Sequence, residues 1–126
     1  MSEQVKTVTG IELSQSAVSD AKRNCRKNNI DNCRFIAGDV KQKLSEISST
    51  PDVMIIDPPR SGMHKDVLKQ VIDINPAKIV YVSCNPATMA RDLVKLKTAY
   101  HLVHVQPVDM FPHTFHIEAV AELIRI

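Results

Sequence analysis

The sequence contains no C-x-x-C pair, no internal repeat, no low-complexity tract and no apolar run near the roughly eighteen residues that cross a bilayer. With no signal-like leader either, the reading sets membrane insertion and secretion aside. Three cysteines, Cys25, Cys33 and Cys84, are an odd count. That argues against an extracellular disulfide framework and points to a reducing cytoplasm. Neither sign of charge dominates: sixteen Lys and Arg against fourteen Asp and Glu leave +2, too little to mark a nucleic-acid partner by itself. The one basic cluster, Lys22, Arg23, Arg26 and Lys27, falls in a helical pattern, where a solvated outer face is the commoner explanation.

What is present is ordinary for a soluble globular chain. Hydrophobic residues at 44% and charged residues at 24% exclude a disordered or collagen-like polymer. A length of 126 residues suits one domain with one core and leaves no room for a separate recognition module.

Val5 to Leu13 reads as a strand, and Ser14 caps a helix through about Asn28 with Ala17, Val18, Ala21 and Cys25 as its apolar stripe. A short strand at Cys33 to Ala37 turns at Gly38-Asp39 into a weaker helix at Lys41 to Ile47. Asp52 to Asp57 holds the continuous run Val53-Met54-Ile55-Ile56, expected of a central strand covered on both faces. After Pro58-Pro59 come a helix at Lys65 to Ile74, a strand at Lys78 to Ser83, and a helix opened by Asn85-Pro86 and running to about Thr98. The last strands are His101 to Val108 and Glu118 to Ile126, expected to pair antiparallel because no crossover helix separates them. This alternation predicts an α/β fold with a mostly parallel, doubly wound sheet.

Ligands of such sheets bind at the carboxyl ends of the strands, and Glu12, Asp39, Asp57 and Cys84 each close one. An acid like Glu12 suits the paired hydroxyls of a nucleoside ribose, against the plainer reading of an exposed strand-end acid. Gly38-Asp39 could set a second carboxylate near a base, although Gly-Asp is a common turn. In Asp57-Pro58-Pro59-Arg60 the prolines stiffen the backbone and aim Asp57 into the cleft. Methyltransferases of exocyclic amines place an aromatic after such prolines; here Arg60 stands there, which argues against amine methylation. Cys84 precedes a capped helix, where the helix dipole favours a nucleophilic thiolate. A buried structural cysteine is the alternative, and the one retained for Cys25 and Cys33. In the segment from Phe111 to Glu118, the spacing of His113, His116 and Glu118 leaves zinc conceivable but lacks the helical frame of a zinc motif, so no metal is expected.

Together, Gly10-Ile11-Glu12, Gly38-Asp39, Asp57-Pro58-Pro59-Arg60, Ser83-Cys84-Asn85-Pro86 and the segment Asp109 to Glu118 resemble the RNA uracil-5-methyltransferase family. The resemblance runs nearly end to end. It is strongest to the bacterial enzymes of 23S ribosomal RNA, with those of transfer RNA as close relatives. It implies a Rossmann-like class I S-adenosylmethionine-dependent methyltransferase fold, an RNA substrate and a cytoplasmic setting. It also implies Cys84 as the nucleophile that adds to uracil C6, Glu118 as the base that removes the C5 proton, and Glu12, Asp39 and Asp57 as cofactor-site acids. Arg60, His113 and His116 would contact RNA or order the loop.

The departure lies at the amino end. Full-length relatives carry an RNA-binding domain, a central insertion and a first strand with a glycine-rich loop, and the sequence matches none of these. The expectation is therefore a partial catalytic domain over residues 1–126, lacking the first strand and closing the gap by direct strand pairing or self-association. The competing readings are an amine or small-molecule methyltransferase of the same fold, and a non-catalytic fragment or RNA-binding module.

Overall fold

A computed structural model describes residues 4–110 and 112–126. Phe111, which opens the histidine-containing loop, lies outside the described residues. The chain divides into two compact units, one ending at Ser48 and one running from Ser49 to Ile126.

In the first unit, β1 (Val8–Glu12) and β2 (Cys33–Ala37) form a parallel pair in the register Val8↔Cys33 to Glu12↔Ala37. β1 begins later than the sequence suggests because its ladder partner starts only at Cys33. Between them runs α1 (Gln15–Lys27), capped by the Ser14 hydroxyl, which accepts from the Ala17 amide. Val18 is the residue of α1 that is fully buried. After β2, Asp39 caps the short α2 (Val40–Lys43), and a 3-10 turn at Leu44–Glu46 completes the expected weak helix.

The second unit holds β3 (Val53–Ile56), α3 (Lys65–Ile74), β4 (Lys78–Ser83), α4 (Pro86–Leu96), β5 (Tyr100–Val108) and β6 (Glu118–Arg125). Its sheet runs β3-β4-β6-β5, parallel between β3 and β4 and antiparallel across β4-β6 and β6-β5. The final antiparallel pair is as expected. β3, β4 and β5 share one direction, as expected of a mostly parallel sheet, and β6 alone runs against them from its place between β4 and β5, which makes the sheet mixed.

Strict alternation along β4 and β6 sends Ile79, Tyr81 and Ser83, with Ala119, Ala121 and Leu123, to a buried face. Val67, Leu68 and Val71 of α3 and Met89 and Leu96 of α4 complete the buried core of this unit. Two further expectations are corrected. β3 is an edge strand and not a central one: Val53 and Ile55 are each 49% exposed, so the apolar run is covered on one side only. Direct pairing that closes a gap is also absent among the described residues, where the strands form two sheets with no ladder joining them.

Candidate active site

In the second unit the chemistry gathers at one end of the sheet. Asp57 follows β3 and Cys84 follows β4, so the parallel pairing of those strands carries both to the same end. β6 starts there from the opposite direction. Ser83 pairs with Ala119, which brings Cys84, one residue after Ser83, and Glu118, one before Ala119, to the same end of the ladder. Both are half-buried, while Asp57 is exposed.

The backbone at Cys84 is set by its neighbours. Ser83 Oγ lies 3.0 Å from both the amide nitrogen and the carbonyl oxygen of Asn85, bonding across the cysteine. Asn85 Oδ1 then accepts from the Ala87 amide at 3.1 Å, and Pro86, which has no N–H to satisfy, opens α4.

Cys84 lines a hollow of about 230 Å³ with Arg60, Asn85, Pro86, Phe115, His116 and Ile117. That volume suits a small planar group and is bounded by a thiol, a guanidinium and an imidazole. Arg60 Nη2 stands 3.2 Å from Nδ1 and 3.4 Å from Nε2 of His116, so two loops remote in sequence meet at the hollow that Cys84 lines. Beside them Phe115 is 91% exposed, its ring centroid 4.2 Å from that of His116. A larger hollow of about 330 Å³ between α4 and β5 is lined chiefly by aliphatic groups such as Leu93, Val94 and Leu102, with Lys97 and Tyr100 beside them.

In the first unit, Glu12 and Asp39 stand at the carboxyl ends of β1 and β2, and the Gly38 amide donates to the Glu12 carbonyl at 3.0 Å. Glu12 Oε1 accepts from the Ser14 amide at 2.8 Å, which fixes the carboxylate and leaves its second oxygen without a described protein donor. A nucleoside diol needs an oriented, exposed acceptor of this kind, so Glu12 fits that group. Asp39 is more committed, because its Oδ1 caps α2 through the Lys41 amide at 2.9 Å.

His113 has a positive φ of 68° and lies outside the residues lining the Cys84 hollow, so it is not grouped there with His116. Among the described residues no cluster of three or more His, Cys, Asp or Glu side chains could hold a metal ion, and no helix is long and apolar enough to cross a membrane. Sequence reasoning missed Phe115, whose signal is an aromatic set beside His116 in a loop between two strands. It also missed Asp92, fully buried and bonded to Tyr81 and to the Met63 amide.

Comparison with solved structures places this geometry in a class. The tRNA (uracil-54, C5)-methyltransferase of Pyrococcus abyssi, solved with S-adenosyl-L-homocysteine, matches with a TM-score of 0.83 at 37% identity over 98% of this chain and 30% of that one. An rRNA methylase of Streptococcus thermophilus shares the fold with a TM-score of 0.74 at 8% identity, covering 96% of this chain and 74% of that one. The fold is that of the class I S-adenosylmethionine-dependent methyltransferases.

The family model for tRNA (Uracil-5-)-methyltransferases matches residues 1–126, and the chain belongs to that family. An uncharacterized RNA methyltransferase of Bacteroides thetaiotaomicron is 50% identical over 98% of this chain, which spans 28% of that protein's length.

Proposed function

We propose that this chain carries the chemical step of an RNA uracil-5-methyltransferase whose substrate is 23S ribosomal RNA, with Cys84 as nucleophile and Glu118 as base. The observation that carries the reading is the antiparallel register of β4 and β6, which brings a thiol and a carboxylate to one end of the sheet, with the thiol in a hollow sized for one base.

Uracil C5 is too weak a nucleophile to take a methyl group unaided. Addition of the Cys84 thiolate to C6 turns the C5–C6 double bond into an enolate and makes C5 nucleophilic. S-adenosylmethionine, when bound, would supply an electrophilic methyl that C5 takes as the methyl–sulfur bond breaks and the sulfonium becomes a neutral thioether. Glu118 then takes the C5 proton, and the electron pair of that C–H bond re-forms C5–C6 as the C6–S bond breaks and the thiolate leaves. Glu12 and Asp39 are assigned to the ribose and adenine of the cofactor and Asp57 to its methyl-bearing end. The target base has to reach the hollow unstacked, and Phe115 offers it or its neighbour an aromatic face. Arg60 and His116 are assigned to the RNA at the rim. Three free thiols and an RNA substrate support a cytoplasmic setting.

The test is trapping with RNA containing 5-fluorouridine, whose fluorine cannot be abstracted as a proton. Wild type should form a denaturation-resistant adduct that Cys84→Ser lacks. Methylation by Cys84→Ser would sink the reading. The Pyrococcus enzyme favours transfer RNA as a second substrate class; parallel assays on 23S and transfer RNA transcripts decide between the two.

A further inference from the structure

The turn that carries Arg60 is gripped by the helix that follows Cys84, and the grip falls on its main chain. Pro59 to Gly62 closes as a turn through Gly62 N–H donating to the Pro59 carbonyl at 2.8 Å. The Arg60 carbonyl accepts from Asn85 Nδ2 at 3.1 Å and faces the Thr88 hydroxyl at 3.1 Å. The Ser61 carbonyl accepts from Arg91 Nη2 at 2.9 Å, and the Met63 amide donates to Asp92 Oδ2 at 2.7 Å. Asn85, Thr88, Arg91 and Asp92 follow helical spacing, so one face of α4 reads the loop backbone residue by residue.

The inner half of this grip is buried. Asp92 is fully inaccessible, and its Oδ2 also accepts from the Tyr81 hydroxyl at 2.8 Å, which ties it to β4. Its Oδ1 accepts from Arg91 Nε at 3.0 Å and Nη2 at 2.8 Å, a two-pronged bond that spreads the guanidinium under the loop. A buried carboxylate is tolerated only when paired in this way. Gly62 follows from the same contact: at φ 76° its missing Cβ would lie 2.5 Å from Arg91 Nη2 and 2.8 Å from Asp92 Oδ2. Because the backbone is held, the Arg60 side chain is left to reach the Cys84 hollow and His116.

We infer that Arg91 and Asp92 are positioning residues: through the backbone of residues 60–63 they set where the Arg60 guanidinium stands in the hollow that Cys84 lines. The catalytic consequence rests on the function proposed above; the placement itself does not.

The test reads the His116 ring resonance by NMR, with Arg60→Ala as the reference for a lost guanidinium. Arg91→Ala and Asp92→Asn should move that resonance toward the Arg60→Ala position while the rings of His101 and His104 on β5 stay put. Met63 amide exchange should quicken by roughly tenfold or more, the scale of a lost charge-assisted bond. The Arg91 side chain is about half exposed, so its removal leaves the core intact if Asp92→Asn does not fold. A His116 resonance unmoved in Arg91→Ala, or unmoved in Arg60→Ala, overturns the inference. In a methyl-transfer assay kcat should fall about tenfold or more with the methyl-donor KM unchanged, and unaltered turnover would overturn the catalytic consequence. Methylation that survives Cys84→Ser while His116 still responds to Arg91→Ala would remove the proposed function and leave this placement standing.

Discussion

Removing the Glu118 carboxylate should fail differently from removing the Cys84 thiol, because in the proposed mechanism one group opens the reaction and the other closes it. Glu118→Gln should still add to uracil and then stall, accumulating a covalent complex with unfluorinated RNA while turnover falls by about 10²–10⁴. Denaturing electrophoresis reads this directly, and a variant that turns over normally would take the base role away from Glu118. Phe115→Ala tests the exposed aromatic: losing a stacking face should weaken RNA binding by about 1–3 kcal/mol in a filter-binding titration without altering cofactor binding. At this scale the sequence was informative about position: Glu12, Asp39, Asp57 and Cys84 were each expected to close a strand, and Glu12 ends β1 while the other three follow β2, β3 and β4. It was silent on Asp92, which inside a helical stretch reads as a surface charge. Its burial depends on Tyr81 and Met63, which reach it from other elements.

Among the elements, local signals reported local facts. Ser14, Asn85 and the Asn28-Asn29 exit are where the chain starts or ends helices, because caps act over three or four residues. Strand order is a different matter. Nothing near β6 announces that it will pair with β4 as well as with β5, since that second partner lies beyond α4 in the chain. The apolar run of β3 suggested burial on both faces, yet Val53 and Ile55 stand half-exposed. Replacement should register this asymmetry. Ile55→Thr should shift the denaturation free energy by less than about 1 kcal/mol, whereas Ile79→Ala, at a position with no exposed surface, should cost about 2–5 kcal/mol. Equal losses in urea titration would show that the outer face of β3 is covered in solution.

For the molecule as a whole, both tyrosines act as an alkaline latch. Burial, and then its bond to Asp92, pushes the Tyr81 phenol far above the ordinary value near 10, and burial pushes Tyr100 upward as well. A group whose pKa is raised on folding contributes its stability in full below the unfolded value and loses it as pH climbs toward the folded one. With only two tyrosines in the chain, tyrosinate absorbance should stay flat past pH 10 and then rise together with loss of ellipticity. A tyrosinate signal growing near pH 10 in a folded chain would contradict this.

The placement of β6 also has a consequence in time. β4 carries Cys84 to its end before β6 is made, and Glu118 arrives only with that last strand, whose ladder with β4 is of higher contact order than its hairpin with β5 and therefore the slower to form. A chain still emerging from synthesis, or one collapsed around its helices alone, holds a thiol with no base beside it. On the proposed function, turnover therefore waits for completion of the sheet, and a form that lacks β6 could add to a base but not release it.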